Sequence, residues 1–296
     1  MDKYELFLKK KNKIILISQK PHNTKEELEK IAGTDKICIC DFYVEGAENW
    51  NYQNNILKEG NFINIDHHSP ITQLRKHISS GNIAKKYVQK YNILDDDYFV
   101  IVNHLDCDSI ISSFIMLGIL EPTQELMRSV IAADHTGEEN QISDLLQSVE
   151  HTRNIDFIAN NLFKLMKGQK LENEAIQMMA IRRKNRERID SMIKSNKYQK
   201  EGKISYFITD SNLDPTLLVS LLPQSKAIMV SSKSKKDVNK WIHRIRLGMN
   251  EENKSLKEID LPDFGGRWNA GSTRRHGGTL IEPKEYARIL NNKLKE

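Results

Sequence analysis

The sequence has few cysteines and no long hydrophobic run. Its three cysteines are Cys38, Cys40 and Cys107. An odd number with one closely spaced pair is not a disulfide framework, and no matching pair of thiols or imidazoles completes a zinc finger. No apolar stretch is long enough to span a bilayer, and the charged first residues lack the apolar core of a signal peptide. We therefore expect a reduced, cytoplasmic protein that does not enter a membrane.

Charge of one sign is only slightly in excess. The 45 lysines and arginines outnumber the 40 aspartates and glutamates, which leaves a net charge of +5. This excess suits an anionic partner but is far from the basic surface of an avid duplex-DNA binder. The 296 residues exceed a typical single domain, and the apolar fraction of 39% suffices for globular cores. We therefore expect two domains.

Strand and helix patterns alternate along the first 140 residues. Apolar strands are predicted at 14–18, 37–40, 62–65 and 98–102, with helices that include 109–120 and one ending near residue 133. This alternation predicts a parallel sheet with helices on both faces. The pattern is then helical from 143 to 195. Strands return at 204–209, 227–231 and 241–247, with helices at 216–222 and 285–294.

The predicted fold class is therefore α/β. We expect a parallel-sheet catalytic domain with a helical extension in residues 1–170, a helical connector in 171–200, and a smaller α/β substrate-binding domain in 201–296. A single helical connector would leave the separation of the two domains adjustable.

Carboxylates and imidazoles follow the predicted strands of the first domain. They are Asp41, Asp66, His67, His68, His104, Asp106, Asp108 and Asp134. The carboxyl ends of parallel strands meet at one edge of the sheet, where ligands gather. His104, Asp106 and Asp108 occupy alternate positions after a strand, so their side chains should point the same way. An isolated aspartate at a strand end can also be a turn former or a helix N-cap, and Asp108 before Ser109 is such a candidate.

Several carboxylates in one pocket imply bound cations. Two carboxylates about 4 Å apart repel by roughly 4 kcal/mol at an effective dielectric near 20. Either some of them are protonated or divalent ions balance them. Mixed aspartate and histidine ligands suit Mn²⁺, with Mg²⁺, Co²⁺ or Zn²⁺ as alternatives. Two such ions would activate a water and stabilise a phosphoryl transition state.

These residues resemble the motifs of the DHH phosphoesterase superfamily. The tripeptide that names the family stands here as Asp66-His67-His68 in INIDHHSP, and its H-x-D-x-D motif as HLDCD in VIVNHLDCDS. Its strand-end aspartate resembles the one in ICICDFY, and its last metal aspartate the one in IAADHTG. Here the H-x-D-x-D motif follows the tripeptide, whereas the family has it first. The rearranged order makes the assignment of Asp41 to its family role less direct.

The resemblance implies a role for each residue. The metal ligands would be Asp41, His67, His104, Asp106, Asp108 and Asp134. His68 would face the scissile phosphate, and Asp66 would accept hydrogen bonds from the histidines and so orient them.

A glycine- and arginine-rich segment marks the second domain. The stretch FGGRWNAGSTRRHGG resembles the glycine-rich loop of the family's substrate domain, with Arg267 in place of a histidine. Glycines let backbone amides approach an anion, and arginines offer bidentate phosphate contacts. The candidate substrate-binding residues are Arg244, Arg246, Gly265, Gly266, Arg267, Trp268, Arg274, Arg275 and His276. Trp268 could stack a base or pack in a core, and the segment could instead be a solvated turn.

Together with the metal-site pattern, this resemblance implies a Mn²⁺-dependent phosphodiesterase that hydrolyses short single-stranded oligonucleotides or dinucleotides to mononucleotides. Cyclic-dinucleotide hydrolysis and a non-catalytic nucleotide- or nucleic-acid-binding role are the alternatives. The basic run at 182–188 is either a solvated helix face or a track for a phosphate backbone. The preference for RNA or DNA and the oligomeric state stay open.

Overall fold

The chain divides into two compact units. A computed structural model describes residues 2–20, 23–33, 35–53, 56–68, 78–91, 98–210, 213–251 and 254–295. The first unit comprises Met1–Asp134 and Glu139–Ala180, and the second comprises His135–Glu138 and Ile181–Glu296. The backbone therefore crosses between the units after Asp134, after Glu138 and after Ala180, where the sequence analysis expected one connector.

The first unit contains one six-stranded sheet. Its strands are β1 (Ile14–Leu16), β2 (Lys36–Cys40), β3 (Asn51–Gln53), β4 (Ile56–Glu59), β5 (Phe62–Ile65) and β6 (Tyr98–Val102), in the order β1-β6-β2-β5-β4-β3. Its helices are α1 (Lys3–Lys10), α2 (Lys25–Ala32), α3 (Ser80–Tyr91), α4 (Cys107–Met116), α5 (Gln124–Ile131), α6 (Gln141–Val149) and α7 (Ile155–Met166). Helix α8 (Asn173–Lys194) contains the third crossing.

The parallel core of this sheet confirms the predicted fold class. Strands β1, β6, β2 and β5 pair in parallel, whereas the β3–β4 hairpin, which the sequence analysis did not predict, continues the sheet in antiparallel fashion. Alternate residues of β2 pack on opposite faces: Cys38 and Cys40 join one hydrophobic cluster, Ile37 and Ile39 another. Both faces are covered, which explains why the parallel strands are almost wholly apolar. The helical pattern at 143–195 forms three helices rather than one.

The second unit contains a second six-stranded sheet. Its strands are β7 (Gln199–Glu201), β8 (Ile204–Ile208), β9 (Ala227–Lys233), β10 (Trp241–Leu247), β11 (Gly265–Gly266) and β12 (Ala270–Ser272), in the order β11-β12-β10-β9-β8-β7. Its helices are α9 (Thr216–Val219) and α10 (Pro283–Lys293). Strands β8 and β9 are parallel, and the other pairs are antiparallel. The hairpin β11–β12 lies where the sequence analysis expected a glycine-rich loop.

None of the helices in the described ranges combines the length and the apolar character that crossing a bilayer requires.

Candidate active site

The polar residues that follow β2, β5 and β6 lie at one edge of the first sheet. Asp41 directly follows β2, Asp66 directly follows β5, and His104 lies two residues beyond β6. The three strands are parallel neighbours, so their carboxyl ends share that edge. Asp134 reaches the same group from a π-helical turn, Ala132–Thr136, that continues α5.

Asp41 lies at the centre of this group. Its Oδ1 is 3.5 Å from His67 Nε2 and 3.7 Å from His68 Nδ1, and its Oδ2 is 3.1 Å from His104 Nε2. Asp106 Oδ2 lies 3.4 Å from the same His104 nitrogen. The structure therefore brings three imidazoles and two carboxylates into one cluster.

Asp41 is held in a conformation that costs energy for a residue other than glycine. Its φ is 63°, in the left-handed region, and its side chain is buried. The backbone N–H of Asp41 donates to the Ile65 carbonyl at 2.9 Å. The hydroxyls of Ser80 and Ser109 donate to Oδ1 and Oδ2 at 2.9 and 3.0 Å. The sequence analysis missed both serines. Ser109 lies next to Asp108, but the approach of α3 that brings Ser80 has no local sequence signal.

His67 connects Asp41 to two further carboxylates. Its Nε2 is 3.2 Å from Asp134 Oδ2 and 3.6 Å from Asp108 Oδ2. Both oxygens of Asp108 also accept backbone N–H groups at the start of α3, from Ser80 at 2.6 Å and from Gly81 at 2.7 Å. Asp108 thus satisfies donors that the helix itself leaves without partners.

The predicted alternation of His104, Asp106 and Asp108 is wrong as local geometry. The strand ends at Val102, His104 lies in a loop, and Asp106 is the N-cap of α4, where it accepts from Ser109 N–H at 2.9 Å. Asp108 lies in the first turn of that helix. The residues converge because a helix starts at the strand end, not because a strand continues. The N-cap is Asp106 rather than Asp108.

Asp66 orients His68. Its Oδ1 accepts from the backbone N–H of His68 at 3.0 Å and lies 2.7 Å from Nδ1 of the same imidazole. An imidazole bonded at Nδ1 presents Nε2 on the opposite side of its ring. Asp66 is fully buried, whereas the His68 side chain is 22% exposed. His68 can therefore meet a ligand while Asp66 remains behind it.

The carboxylates of the cluster strongly favour positive charge on the imidazoles beside them. Burial opposes protonation of His67, but the carboxylates of Asp134, Asp41 and Asp108 outweigh it and raise the His67 pKa to about 9. Burial is likewise outweighed at His104, where Asp106 and Asp41 raise the pKa to about 11. These two imidazoles would carry protons at neutral pH to balance the carboxylates. A divalent cation can take over that role.

The carboxylates themselves divide into two kinds. Burial would raise the pKa of Asp41, but hydrogen bonds with His104 and His67 outweigh it and hold the pKa well below its usual range. Burial and the charge of Asp41 raise the pKa of Asp108. Asp41 is therefore the carboxylate that stays ionised in the centre of the cluster.

Within the first unit, two sets of described side chains could bind metal ions. In one set, Asp41, His67 and His68 offer ligand atoms that lie within 4.8 Å of one another, and in the other, Asp41, His104 and Asp106 do so. Imidazole nitrogens with carboxylate oxygens fit a transition-metal ion such as Mn²⁺ or Zn²⁺. Asp41 belongs to both sets, so one carboxylate could bridge two ions.

The arginines of the second unit lie in different environments. Arg244 and Arg246 share a face of β10 because they alternate along the strand. Arg246 is buried and donates from Nη2 to Thr216 Oγ1 at 2.6 Å. Burial lowers the pKa of Arg244, which is half-buried. The exposed candidates lie on a short 3₁₀ turn, Thr273–His276; they are Arg274, Arg275 and His276.

The glycines of the predicted loop are required by the β11–β12 hairpin itself. A Cβ on Gly266 would lie 2.4 Å from the Ala270 carbonyl oxygen, and a Cβ on Gly265 would lie 2.9 Å from Cβ of Arg275. Close approach of the hairpin backbone at Gly266, and of the Arg275 side chain at Gly265, therefore explains both positions without a ligand. The predicted loop role of Gly265 and Gly266 needs this correction, because both residues are paired with β12. Half-buried Arg267 lies in the turn of the hairpin.

Trp268 is a core residue. It is 6% exposed and belongs to the hydrophobic cluster that contains Leu256, Tyr286 and Leu290. Its backbone carbonyl accepts from Leu256 N–H at 2.7 Å. A buried indole offers no face on which a base could stack. Of the two roles considered for Trp268, the structure supports packing.

Four further aspartates, which precede β2 or β6 in the sequence, are weaker candidates by position. Asp35 is exposed. Asp95, Asp96 and Asp97 lie outside the described residues.

No protein-family model matches the sequence, and no curated protein matches it. Among solved structures, the chain is similar to PggH, a pGpG-specific phosphodiesterase from Vibrio cholerae, with 10% identity, a TM-score of 0.44, and coverage of 67% of this chain and 79% of that one. It is also similar to an uncharacterized protein from Helicobacter pylori G27, with 15% identity, a TM-score of 0.22, and coverage of 91% and 84%. Because both TM-scores are below 0.5, the function proposed next depends on the residues of the site.

Proposed function

We propose that this chain is a divalent-metal-dependent phosphodiesterase that hydrolyses short single-stranded oligonucleotides or dinucleotides to mononucleotides, with Mn²⁺ as its metal. The observation that supports this most directly is the convergence of imidazoles and carboxylates on Asp41 at one sheet edge. Two sets of nitrogen and oxygen ligands that have the Asp41 carboxylate in common would suit a two-metal hydrolytic centre.

The proposed ligands fall into a central pair and an outer set. Asp41 and His67 would form the centre, and His104, Asp106, Asp108 and Asp134 would complete the coordination. Bound divalent ions would supply a water of lowered pKa and would neutralise charge on the phosphate oxygens. Ser80 and Ser109 hold both oxygens of Asp41, so its carboxylate keeps one orientation.

His68 is assigned to the scissile phosphate. Its Nδ1 already bonds Asp66, so holding a metal through Nδ1 would cost that hydrogen bond. Nε2 is the atom that would meet a phosphate oxygen. Arg244, Arg267, Arg274, Arg275 and His276 would grip substrate phosphate groups, whereas buried Arg246 would keep its hydrogen bond to Thr216.

The test is hydrolysis by metal-stripped protein. Short RNA, short DNA, cyclic dinucleotides and bis-nitrophenyl phosphate would each be incubated with Mn²⁺, with Mg²⁺ or with excess chelator, and products separated. We expect hydrolysis of the short linear substrates with Mn²⁺, weaker turnover with Mg²⁺, and none with chelator. Full activity in excess chelator would refute the metal mechanism. Binding of nucleotides without hydrolysis or manganese uptake would instead indicate a non-catalytic binder.

A further inference from the structure

Four residues inside the sequence of the first unit fold with the second. Asp134 and Glu139 belong to the first unit, whereas His135–Glu138 between them belongs to the second. We call residues 135–138 the tether. Its preceding residue, Asp134, is one of the proposed metal ligands, so the chain passes into the second unit directly after the metal site.

The tether is anchored within the second unit by three hydrogen bonds. The Thr136 carbonyl accepts from Ser220 N–H at 2.9 Å. The Gly137 carbonyl accepts from Arg186 Nη1 at 2.8 Å. The side-chain nitrogen Nδ2 of Asn269 lies 3.2 Å from His135 Nδ1. Each anchor comes from a different element: the end of α9, helix α8, and the turn of the β11–β12 hairpin.

Close packing also holds the tether in place. His135 and Thr136 are buried. Gly137 has a φ of +67°, and a Cβ at this position would lie 1.9 Å from the Thr216 carbonyl oxygen. Only glycine fits there without moving the backbone.

Asp134 is fixed from the other side by the first unit. Its Oδ2 is 3.2 Å from His67 Nε2, and the neighbouring Ala133 belongs to the hydrophobic core of the first unit. Two residues of chain span about 7 Å at most. Because the connection is so short, a displacement of the tether must displace Asp134 as well.

We propose that Arg186 and Asn269 are positioning residues that hold Asp134, through the tether, where it can serve as a metal ligand. This inference rests on the proposed function, because it gives Asp134 a role in metal binding. The turn of the β11–β12 hairpin carries both Asn269 and Arg267, so one residue of the proposed phosphate grip lies two residues from an anchor of the tether.

The test is Mn²⁺ affinity, measured by calorimetric titration of metal-stripped protein. Arg186→Met should weaken one class of Mn²⁺ site by about 10-fold or more, the scale on which partners of metal ligands act. Arg183→Met is the matched control, because Arg183 is exposed on the same helix and loses the same charge. Arg186→Lys, which keeps one N–H donor for the Gly137 carbonyl, should restore part of the affinity.

A double-mutant cycle separates positioning from general damage. In an Asp134→Asn background, Arg186→Met should cause little further loss of Mn²⁺ affinity, because the residue through which it acts is already disabled. If the losses of Mn²⁺ affinity are additive, or if Arg186→Met and Arg183→Met bind Mn²⁺ equally well, Arg186 does not position Asp134 through the tether. If Arg186→Met does not fold, Asn269→Ala is tested in the same cycle. A native chain that binds no Mn²⁺ would refute the proposed function instead.

Discussion

The buried carboxylate of Asp41 combines a strained backbone with a complete set of hydrogen-bond partners. A left-handed aspartate costs of order 1 kcal/mol or more, and it persists only where its surroundings determine it. Here the Ile65 carbonyl holds its N–H, and two serine hydroxyls hold its oxygens. In this conformation the Asp41 carboxylate faces His67 and His104 at the same time.

The first prediction at this scale concerns Asp41→Asn. Asparagine tolerates the left-handed region and can still accept from a serine hydroxyl, so the fold should survive. It lacks the charge that would bridge two cations. We expect kcat to fall by more than about 100-fold, because changes to residues that merely support a ligand already cost roughly 10–100-fold.

Asp35→Asn is the matched control, since Asp35 is an exposed aspartate on the other side of β2 in sequence. Its kcat should equal that of the native protein. The measurement is steady-state kinetics on a dinucleotide for both variants, with the Mn²⁺ content determined on the same samples. An active, manganese-loaded Asp41→Asn protein would remove Asp41 from the mechanism.

The candidate ligands could be predicted from the sequence, but the residues that hydrogen-bond to them could not. Asp41, His67 and His104 follow strands, and that pattern is visible along the chain. Ser80 is not predictable in this way, because its contact with Asp41 spans 39 residues and depends on where α3 packs. The rearranged motif order does not prevent convergence, because β2, β5 and β6 are adjacent in the sheet regardless of chain order.

Among the elements, β10 carries a buried histidine that has no part in the proposed chemistry. His243 is fully buried, with Nδ1 2.9 Å from Ser231 Oγ and Nε2 3.0 Å from the Ile281 carbonyl oxygen. A carbonyl accepts, so Nε2 carries the hydrogen, and the Ser231 hydroxyl donates to Nδ1. Burial lowers the His243 pKa to about 4.

This strand should make the second unit sensitive to acid. The unfolded chain has an ordinary His243 pKa near 6.5, so below that pH the unfolded state binds a proton that the folded state does not. The contribution is fully present above about pH 6.5 and is lost as the pH falls towards 4, by roughly 2 kcal/mol between pH 7 and pH 5.

Urea unfolding at pH 7 and pH 5 would measure the effect. In a Trp50→Phe background, Trp241 and Trp268 report on the second unit alone. His243→Gln removes the titrating group, so its free energy of unfolding should change with pH by about 2 kcal/mol less. Equal pH dependence in the two proteins would show that folding does not lower the His243 pKa.

At the element scale, the strands with strong apolar runs were predictable, and those formed by polar or small residues were not. The predicted strand 241–247 has the observed bounds of β10. Hairpin β11–β12 consists largely of glycine, alanine and serine, whose weak strand preference is overridden by pairing with β10. Likewise, α4 begins at Cys107 rather than at residue 109, because Asp106 caps it.

At the scale of the whole molecule, the charge distribution limits how a nucleic acid can bind. The net charge is +5. Within the basic run at 182–188, Arg182 Nη1 lies 3.7 Å from Asp214 Oδ2, and Arg186 donates to the Gly137 carbonyl. Both partners lie within the second unit. Arg182 and Arg186 thus make contacts within the protein. These contacts favour the interpretation of the run as a partly solvated helix face over its interpretation as a continuous track for a phosphate backbone.

The last prediction follows from that charge distribution and concerns substrate length. A long strand held through many phosphates would show a steep salt dependence, close to −0.7 in log–log slope for each phosphate neutralised. With few arginines left for substrate, we expect about two to three phosphate contacts and a slope of roughly −1.4 to −2. The value of kcat/KM should reach its maximum at a few nucleotides and then stay level.

The measurement is kcat/KM from dinucleotide to long single strand at several salt concentrations, for the native chain and for a variant with Arg183→Met and Lys184→Met. Both residues are exposed on α8, so their loss should leave the slope unchanged. If efficiency instead climbs with length, and the variant flattens both the climb and the salt slope, the run is a nucleic-acid track and the enzyme is an exonuclease of long strands.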